Sequence, residues 1–318
     1  MDLHFHGLYG IDLMRAGESE LAELCQKLWR DGVQVILATT ISSPMPLFEA
    51  ALERLGRFIQ VQHEKGPARG ETFMAGIHLE GPFIASGSCG AHPPEFLIDP
   101  SLELLKRWWE ISGGTLARLT LAPERGDPAE VKAIIRWARN KKISLSLGHS
   151  QADLSTAQAW HRSGIRQLTH AWNAMPFHHR NPGAIGAFAG AGTDTFIEII
   201  PDGVHVHPKV LEWTHALHEK GVFWVSDAVP AGRSNQPASL GTLTIRAESK
   251  APVCRTSDGH LAGGALPLSH LLMRQRRLIQ ALGLKPRELA WEIPWRALGE
   301  TPLRRRWKSQ LEKLARYS

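Results

Sequence analysis

The feature that most constrains the fold is a regular alternation of short β-rich runs with amphipathic helical segments along the chain. Strands that alternate with helices form βαβ units, and such units build a parallel sheet. The runs that we predict to be strands are residues 3–6, 33–39, 74–80, 116–122, 143–148, 165–170, 195–200 and 222–226. Eight parallel strands close a barrel, and 318 residues lie within the size range of such barrels. The sequence therefore predicts an α/β fold of the (β/α)8 TIM-barrel class over residues 1–284.

The positive charge of the chain is concentrated near its C-terminus. Residues 303–318 carry six Lys or Arg and one Glu, which accounts for most of the formal net charge of +6. The rest of the chain is nearly neutral and has no basic segment interleaved with aromatic residues, which argues against nucleic-acid binding. A basic stripe on a terminal helix can bind an acidic partner or form a solvated face. We predict that residues 285–318 form a helical, basic extension packed on the barrel.

Hydropathy and cysteine content indicate a cytoplasmic protein. No segment reaches the roughly 20 consecutive apolar residues of a membrane span, and the N-terminus lacks the layout of a signal peptide. The three cysteines are scattered and odd in number, which argues against a disulfide framework and for a reducing compartment. We therefore expect neither a membrane nor a nucleic acid as a partner.

Residue types that bind metals recur at the C-terminal ends of the predicted strands. These residues are His4, His6, Glu80, His149, His170 and Asp227. The C-terminal ends of barrel strands meet at one mouth, so these imidazoles and carboxylates should converge. Each has an ordinary interpretation by itself: Glu80 could be an ion-pair partner and Asp227 a helix cap. Together they predict a site for one or two divalent ions, with Zn first and Fe, Mn or Co as alternatives.

The motifs around these residues resemble the amidohydrolase superfamily and, within it, the N-acetylglucosamine-6-phosphate deacetylases. The HxH pattern at residues 4–6 is a weak signal, because the whole superfamily shares it. Much more specific are HLEGPF at 78–83, GAHPPE at 90–95, THAWNAM at 169–175 and RNPG at 180–183. The resemblance covers most of residues 2–270 through LTLAPE at 119–124, LGHS at 147–150, DGVHV at 202–206, SDAVPAG at 226–232 and LAGG at 261–264.

The resemblance implies a metal centre. Glu80, His149 and His170 match the ligands of the metal that these deacetylases always carry. His4 and His6 match the pair that holds a second metal in binuclear members, with Glu80 as a shared ligand. Some other amidohydrolases bridge their metals with a carboxylated lysine after strand 4. Here that strand ends in LTLAPER, which has no lysine and disfavours dihydroorotase-like or hydantoinase-like activity.

The resemblance also implies catalytic and substrate-binding roles. Asp227 matches a residue that lies at the metal and acts as the catalytic acid and base. His92 matches the histidine that binds the substrate and polarises its acetyl carbonyl. Arg180 matches a phosphate-binding arginine that one subunit of a homodimer lends to the other. The other positions that match phosphate contacts are Asn173, Ala174 and His205.

These roles predict the hydrolysis of N-acetylglucosamine-6-phosphate to glucosamine-6-phosphate and acetate. Two alternatives stay open: the same site acting on another N-acyl or cyclic amide substrate, and a non-catalytic barrel that binds a sugar phosphate. Members of the family ordinarily carry a small β-sandwich, built from a segment before the HxH strand and one after the barrel. Neither segment is recognisable in this sequence, so we expect a barrel that lacks the sandwich.

Overall fold

A computed structural model describes residues 1–299 and confirms the predicted barrel. Eight strands follow one another in a single parallel sheet. In chain order, barrel strands 1 to 8 are Asp2–Phe5, Val35–Thr39, Phe73–Glu80, Leu116–Leu121, Ser144–Leu147, Gln167–Leu168, Phe196–Ile199 and Val222–Trp224. Each predicted run overlaps its strand, and the differences are confined to the strand ends.

The barrel closes between strands 1 and 8 at the end that forms the mouth. The N–H of His6 donates to the carbonyl of Ala228 at 2.8 Å, and the N–H of Asp227 donates to the carbonyl of His4 at 3.1 Å. Phe5 and Ala228 form a parallel bridge at the same place. The closing seam therefore joins the two predicted histidines of strand 1 to the predicted aspartate after strand 8.

Helices cover the outside of the barrel. Within residues 1–299 the α-helices are Glu18–Arg30, Met45–Lys65, Leu102–Ile111, Pro128–Lys141, Leu154–Ser163, Gly183–Ala189, Pro208–Leu217, Leu268–Arg274, Arg276–Ala281 and Ile293–Ala297. Short 3-10 turns lie at Ser86–Ser88, Pro94–Phe96 and Pro123–Arg125, and a π-helical turn at Glu288–Glu292. Among these described helices, none combines the length and the hydropathy that crossing a membrane requires.

Helix Pro128–Lys141 shows how local sequence sets an element. Asp127 caps it by accepting from the N–H groups of Ala129 and Glu130 at 2.8 and 3.2 Å. Pro128 follows in the first turn, where an N–H would have no partner within the helix. The face buried against the barrel consists of Val131, Ile134, Ile135 and Ala138.

The N-terminal end of the barrel is covered by the segment from Glu288 to Ala297. Trp291 and Ile293 belong to a buried apolar cluster that also contains Leu3 of barrel strand 1. The mouth therefore opens at the opposite end of the barrel. The basic residues 303–318 of the predicted extension lie outside the described residues, and the division of the chain at residue 284 stays a prediction.

Six short strands were not predicted from the sequence. Gly7–Leu8 pairs with Ile11–Asp12, and a four-stranded antiparallel sheet contains Ala238–Leu240, Leu243–Ala247, Val253–Thr256 and Leu261–Gly264. Gly264 forms a parallel bridge with Ala228, so this sheet packs directly beside the barrel mouth. Within residues 1–299 these strands border the mouth and do not form a separate β-sandwich.

Candidate active site

The histidines of barrel strand 1 lie beside the carboxylates from strands 3 and 8. The Nε2 atoms of His4 and His6 are 3.2 Å apart. Glu80 Oε2 lies 3.1 Å from His4 Nε2 and 3.2 Å from His6 Nε2. Asp227 Oδ1 lies 3.4 and 3.3 Å from the same two nitrogens. All four side chains are buried or nearly so, which makes this a compact N/O cluster.

The second oxygen of Glu80 faces a different pair of imidazoles. Glu80 Oε1 is 3.2 Å from His149 Nε2 and 2.9 Å from His170 Nε2, and these two nitrogens are 3.0 Å apart. In residues 1–299, His4, His6 and Glu80 form one triad of potential ligands within 4.8 Å, and Glu80, His149 and His170 form another. Glu80 is therefore the shared member of two triads, as the resemblance implied.

The hydrogen-bond partners of the rings indicate that the triads fit a metal cation. His149 Nδ1 lies 2.8 Å from the carbonyl oxygen of Ser88, which can only accept, so Nδ1 carries the hydrogen. His4 Nδ1 lies 2.6 Å from a carboxylate oxygen of Glu198 and is the donor for the same reason. In their neutral forms both rings then present Nε2 lone pairs to the oxygens of Glu80. Acceptors that face acceptors at these distances repel each other unless a cation lies between them.

The charges in the cluster favour a cation as well. Burial opposes a charged imidazole, yet Glu80, Glu198 and Asp227 outweigh it and raise the pKa of His4 well above its usual value. Burial would raise the pKa of Glu80, but the positive charge of a protonated His4 and the adjacent His149 and His170 rings lower it well below its usual value. The carboxylates are thus held as anions, and the centre of the cluster is strongly negative whenever the rings are neutral.

Three of the clustered residues have unusual backbone conformations. His149, His170 and Asp227 have φ values of +48°, +25° and +48°. Residues other than glycine rarely adopt positive φ, and each such residue costs of order 1–3 kcal/mol unless its surroundings hold it there. All three come directly after barrel strands 5, 6 and 8, where this turn aims each side chain into the mouth. Strain concentrated at three strand ends is typical of a functional site.

His92 reaches the same cluster from the loop that follows barrel strand 3. Its Nδ1 accepts from the backbone N–H of Ser42 at 3.2 Å and lies 2.8 Å from the Ser42 hydroxyl. The hydrogen of the neutral ring is therefore on Nε2, which lies 3.5 Å from Glu80 Oε2. Burial lowers the pKa of His92 to about 4, so the ring is neutral at pH 7. The close packing requires Gly81, where a Cβ would lie 2.3 Å from the Ser42 hydroxyl.

A cavity of about 270 Å³ opens above the cluster. All the clustered side chains except His4 line this cavity, together with His92, Asn173, Ala174 and His205. His205 Nδ1 lies 2.5 Å from Asp202 Oδ2, while the backbone N–H of His205 donates to Asp202 Oδ1 at 2.8 Å. Burial disfavours a charged His205, but the hydrogen bond and charge of Asp202 raise its pKa. Asp202 therefore favours the protonated ring of His205, in which Nε2 can donate to an anionic part of a ligand.

Arg180 is the predicted site residue that the single chain brings neither into the His/Glu/Asp cluster nor into the cavity. It lies in an exposed loop, and its backbone N–H donates to His178 Nδ1 at 3.2 Å. It is not among the residues that line the cavity. An arginine placed in this way can act only at a site outside its own barrel or after the loop moves.

Some residues of the site were missed by the sequence analysis. Asp202 lies in the DGVHV motif, and its spacing of three from His205 was an available signal. Glu198 is a lone charge inside a run that was predicted as a buried strand, a further available signal. Arg118 is likewise a charge within a predicted strand. For His260, which lines the cavity beside Leu261, the sequence held no signal.

The chain is similar in sequence to known deacetylases. No protein-family model matches the sequence. The chain is 34% identical over 295 residues to the N-acetylglucosamine-6-phosphate deacetylase of Bos taurus, a match that covers 89% of the chain and 68% of the relative. It is 31% identical over 306 residues to the N-acetylgalactosamine-6-phosphate deacetylase of Escherichia coli O157:H7, covering 94% of the chain and 77% of the relative.

Solved structures are similar over the same extent. A variant of the deacetylase from Mycobacterium smegmatis, in complex with N-acetyl-D-glucosamine-6-phosphate, superposes with a TM-score of 0.82 at 27% identity, covering 94% of this chain and 76% of that one. The deacetylase from Thermotoga maritima gives a TM-score of 0.78 at 27% identity, with coverage of 94% and 77%.

Proposed function

The chain belongs to the N-acetylglucosamine-6-phosphate deacetylase family, and on this basis we propose that it hydrolyses N-acetylglucosamine-6-phosphate to glucosamine-6-phosphate and acetate. The observation that carries the proposal is the pair of ligand triads that share Glu80, with Asp227 and the neutral His92 beside them. Amide hydrolysis needs an activated water, a donor to the carbonyl oxygen and an acid for the leaving amine. The cluster contains a group for each task.

A divalent metal ion fits the two triads, and Zn is the ion that we propose. Glu80, His149 and His170 would hold one ion, and His4, His6 and Glu80 a second, with Asp227 adjacent. A bound divalent ion lowers the pKa of a water ligand from 15.7 to about 7 and polarises a carbonyl group. A set of imidazole nitrogens and carboxylate oxygens is one that Zn accepts readily.

Asp227 supplies the acid–base chemistry. Burial would raise the pKa of its carboxyl group, but His4 and His6 lower it, so Asp227 is an anion at neutral pH. It accepts a proton from the water whose oxygen attacks the acetyl carbon. When the carbon–nitrogen bond breaks, the same proton passes to the departing sugar amine.

His92 and the cavity wall position the substrate. The Nε2–H of His92 donates to the acetyl oxygen as negative charge develops on it. His205, held by Asp202, pairs with the 6-phosphate, and Asn173 and the backbone of Ala174 lie in the same wall. The phosphate therefore anchors the sugar on one side of the cavity, with the acetamide over the cluster.

A homodimer would give Arg180 its role. Phe177, Trp213 and Leu217 expose 54%, 56% and 59% of their surfaces. They are neighbours, because Trp172 packs on Phe177 and donates to Thr214 in helix Pro208–Leu217. A second copy of the chain that covers this apolar patch would place the nearby, exposed Arg180 loop at the interface. From there Arg180 can reach the phosphate site of the partner subunit. We place the enzyme in the cytoplasm, consistent with its three free cysteines.

An acetate-release assay on matched sugars tests the proposal. The panel contains N-acetylglucosamine and N-acetylgalactosamine, each with and without a 6-phosphate. We expect the phosphorylated glucosamine derivative to give the highest kcat/KM and removal of the phosphate to reduce it strongly. The galactosamine epimer is the second candidate, because a relative at 31% identity bears that name. Equal rates with and without phosphate would contradict the assignment.

A further inference from the structure

A layer of polar side chains crosses the barrel interior directly below the metal-binding cluster. Barrel interiors are usually filled by branched apolar residues, so a polar layer calls for a reason. The fully buried members of this layer are His78, Arg118, Thr120, Ser146, Thr169 and Glu198. Hydrogen bonds connect them in sequence, from His78 through Thr120, Thr169 and Ser146 to Arg118 and Glu198.

Glu198 is the member that contacts the cluster above. Its Oε1 accepts from His4 Nδ1 at 2.6 Å and from the backbone N–H of His170 at 3.1 Å. Its Oε2 forms an ion pair with Arg118 Nη1, and Arg118 Nη2 donates to Ser146 at 3.1 Å. One carboxylate thus contacts a residue from each of the two ligand triads.

We propose that the buried Arg118–Glu198 pair positions the metal ligands, chiefly His4, and so sets the affinity of the His4–His6–Glu80 triad for its ion. This inference rests on the metal centre of the proposed function. The bond from His4 Nδ1 fixes the ring so that Nε2 points at Glu80 and Asp227. A carboxylate at Nδ1 also makes Nε2 a stronger donor to a metal. Arg118 holds Glu198 in place and balances its charge.

His4 depends on this pair more than His170 does. The ring of His4 has Glu198 as its Nδ1 partner, and no backbone group replaces it. The backbone after His170 is held independently, because the N–H of Ala171 donates to the backbone carbonyl of Glu198 at 2.7 Å. Loss of the Glu198 side chain should therefore weaken the His4–His6–Glu80 triad more than the Glu80–His149–His170 triad.

A buried ion pair is weak evidence for a contribution to stability. Replacing a buried ion pair with apolar residues of similar volume is often neutral or stabilising, whereas removing one partner leaves an uncompensated buried charge. The informative variants therefore change both residues. Arg118→Met with Glu198→Leu removes both charges and the acceptor of His4. Arg118→Met with Glu198→Gln removes both charges but keeps an oxygen that can accept from His4 Nδ1. Thr120→Val is the control, since Thr120 contacts His78 and Thr169 but neither His4 nor Glu198.

The test measures Zn binding and the metal-induced rise in Tm of the full chain. Metal-free protein is titrated with Zn²⁺ against a chromophoric chelator, and Tm is recorded with and without Zn²⁺. The wild type and Thr120→Val should bind two equivalents. In the Leu double variant the second equivalent should bind 10- to 100-fold more weakly, the range typical for outer partners of metal ligands. The affinity of the Gln double variant for the second equivalent should lie between those of the wild type and the Leu double variant.

The outcomes separate this inference from the proposed function. A smaller metal-induced rise in Tm in the Leu double variant, with a metal-free Tm close to that of the wild type, supports a positioning role. Equal losses of Tm with and without Zn²⁺, at unchanged affinity for both equivalents, would show a structural role and overturn the inference. A wild type that binds no Zn²⁺ would refute the metal centre of the proposed function itself.

Discussion

The two aspartates of the site should have separable kinetic effects. Asp227 lies 3.3 Å from His6 Nε2, beside the proposed reacting atoms, whereas Asp202 lies 2.5 Å from His205 Nδ1, on the proposed phosphate side. Asp227→Asn keeps the shape of the side chain and removes its ability to accept a proton. Asp202→Asn keeps the fold of the loop and removes the negative charge behind His205. The first change should lower kcat, and the second should raise KM.

The size of each effect follows from the role of the group. A positioned general base contributes about 10²- to 10⁴-fold to the rate, which corresponds to roughly 3–5 kcal/mol at 1.36 kcal/mol per decade. We expect Asp227→Asn to lower kcat by that factor and to leave KM within a few-fold. A hydrogen bond to a charged group is worth about 1.5–3 kcal/mol, so Asp202→Asn should raise KM about tenfold or more at nearly unchanged kcat.

Steady-state acetate release with N-acetylglucosamine-6-phosphate measures both parameters. Bound metal is determined on the same samples, since Asp227 adjoins the ligands and a loss of metal would also lower kcat. A fully metallated Asp227→Asn protein with kcat within tenfold of the wild type would refute its role as acid and base. A rise in KM that is equal in both variants would refute the division of the cavity into a reacting side and a phosphate side.

Three further results are expected. His92→Gln should lower kcat for acetate release about 10²- to 10³-fold. Ser42→Ala keeps the backbone donor to His92 Nδ1, so its kcat should stay within a few-fold of the wild type. Equal losses of kcat in the two variants would contradict the role of His92. If Arg180 acts in the site of the partner subunit, mixed dimers of Arg180→Ala and Asp227→Asn subunits should recover activity that neither homodimer has. Verified mixed dimers without such activity would exclude a role of Arg180 across the dimer. Burial lowers the pKa of His215 from 6.5 to about 4. As the pH falls from 6.5 to 4, the unfolded chain therefore binds a proton at His215 before the folded chain does. The free energy of unfolding should fall over this range by up to about 3 kcal/mol. Denaturant unfolding of His215→Gln should show a smaller decrease in the free energy of unfolding over this pH range than the wild type. The same pH dependence in both proteins would contradict the role of His215.

The barrel and the convergence of the candidate metal ligands could be predicted because both depend on local pattern plus one general rule. Alternation of strands and helices identified the fold, and the rule that barrel sites lie at the C-terminal ends of strands selected Glu80, His149 and His170. The left-handed backbone of His149 and His170 was not visible in the sequence. It arises because the chain must turn sharply after the strand to aim each ring at Glu80.

The support below the cluster could not be predicted for a different reason. Arg118 and Glu198 are 80 residues apart, and each looks like an isolated charge in an apolar strand. Only the closed barrel brings strands 4 and 7 across the interior, where burial forces the two charges to pair. The small sheet from Ala238 to Gly264 was missed because its strands are short and carry weak alternation.

A metal ion held by Glu80 and the histidines should drive acetate release, and this requirement is tested by measuring turnover against bound metal. Metal-free protein is reloaded with increasing Zn²⁺, and bound ions and kcat with N-acetylglucosamine-6-phosphate are determined at each step. We expect negligible turnover without metal and a rise in kcat that is complete by the second bound equivalent per chain. Full turnover in protein shown to be free of metal would contradict it.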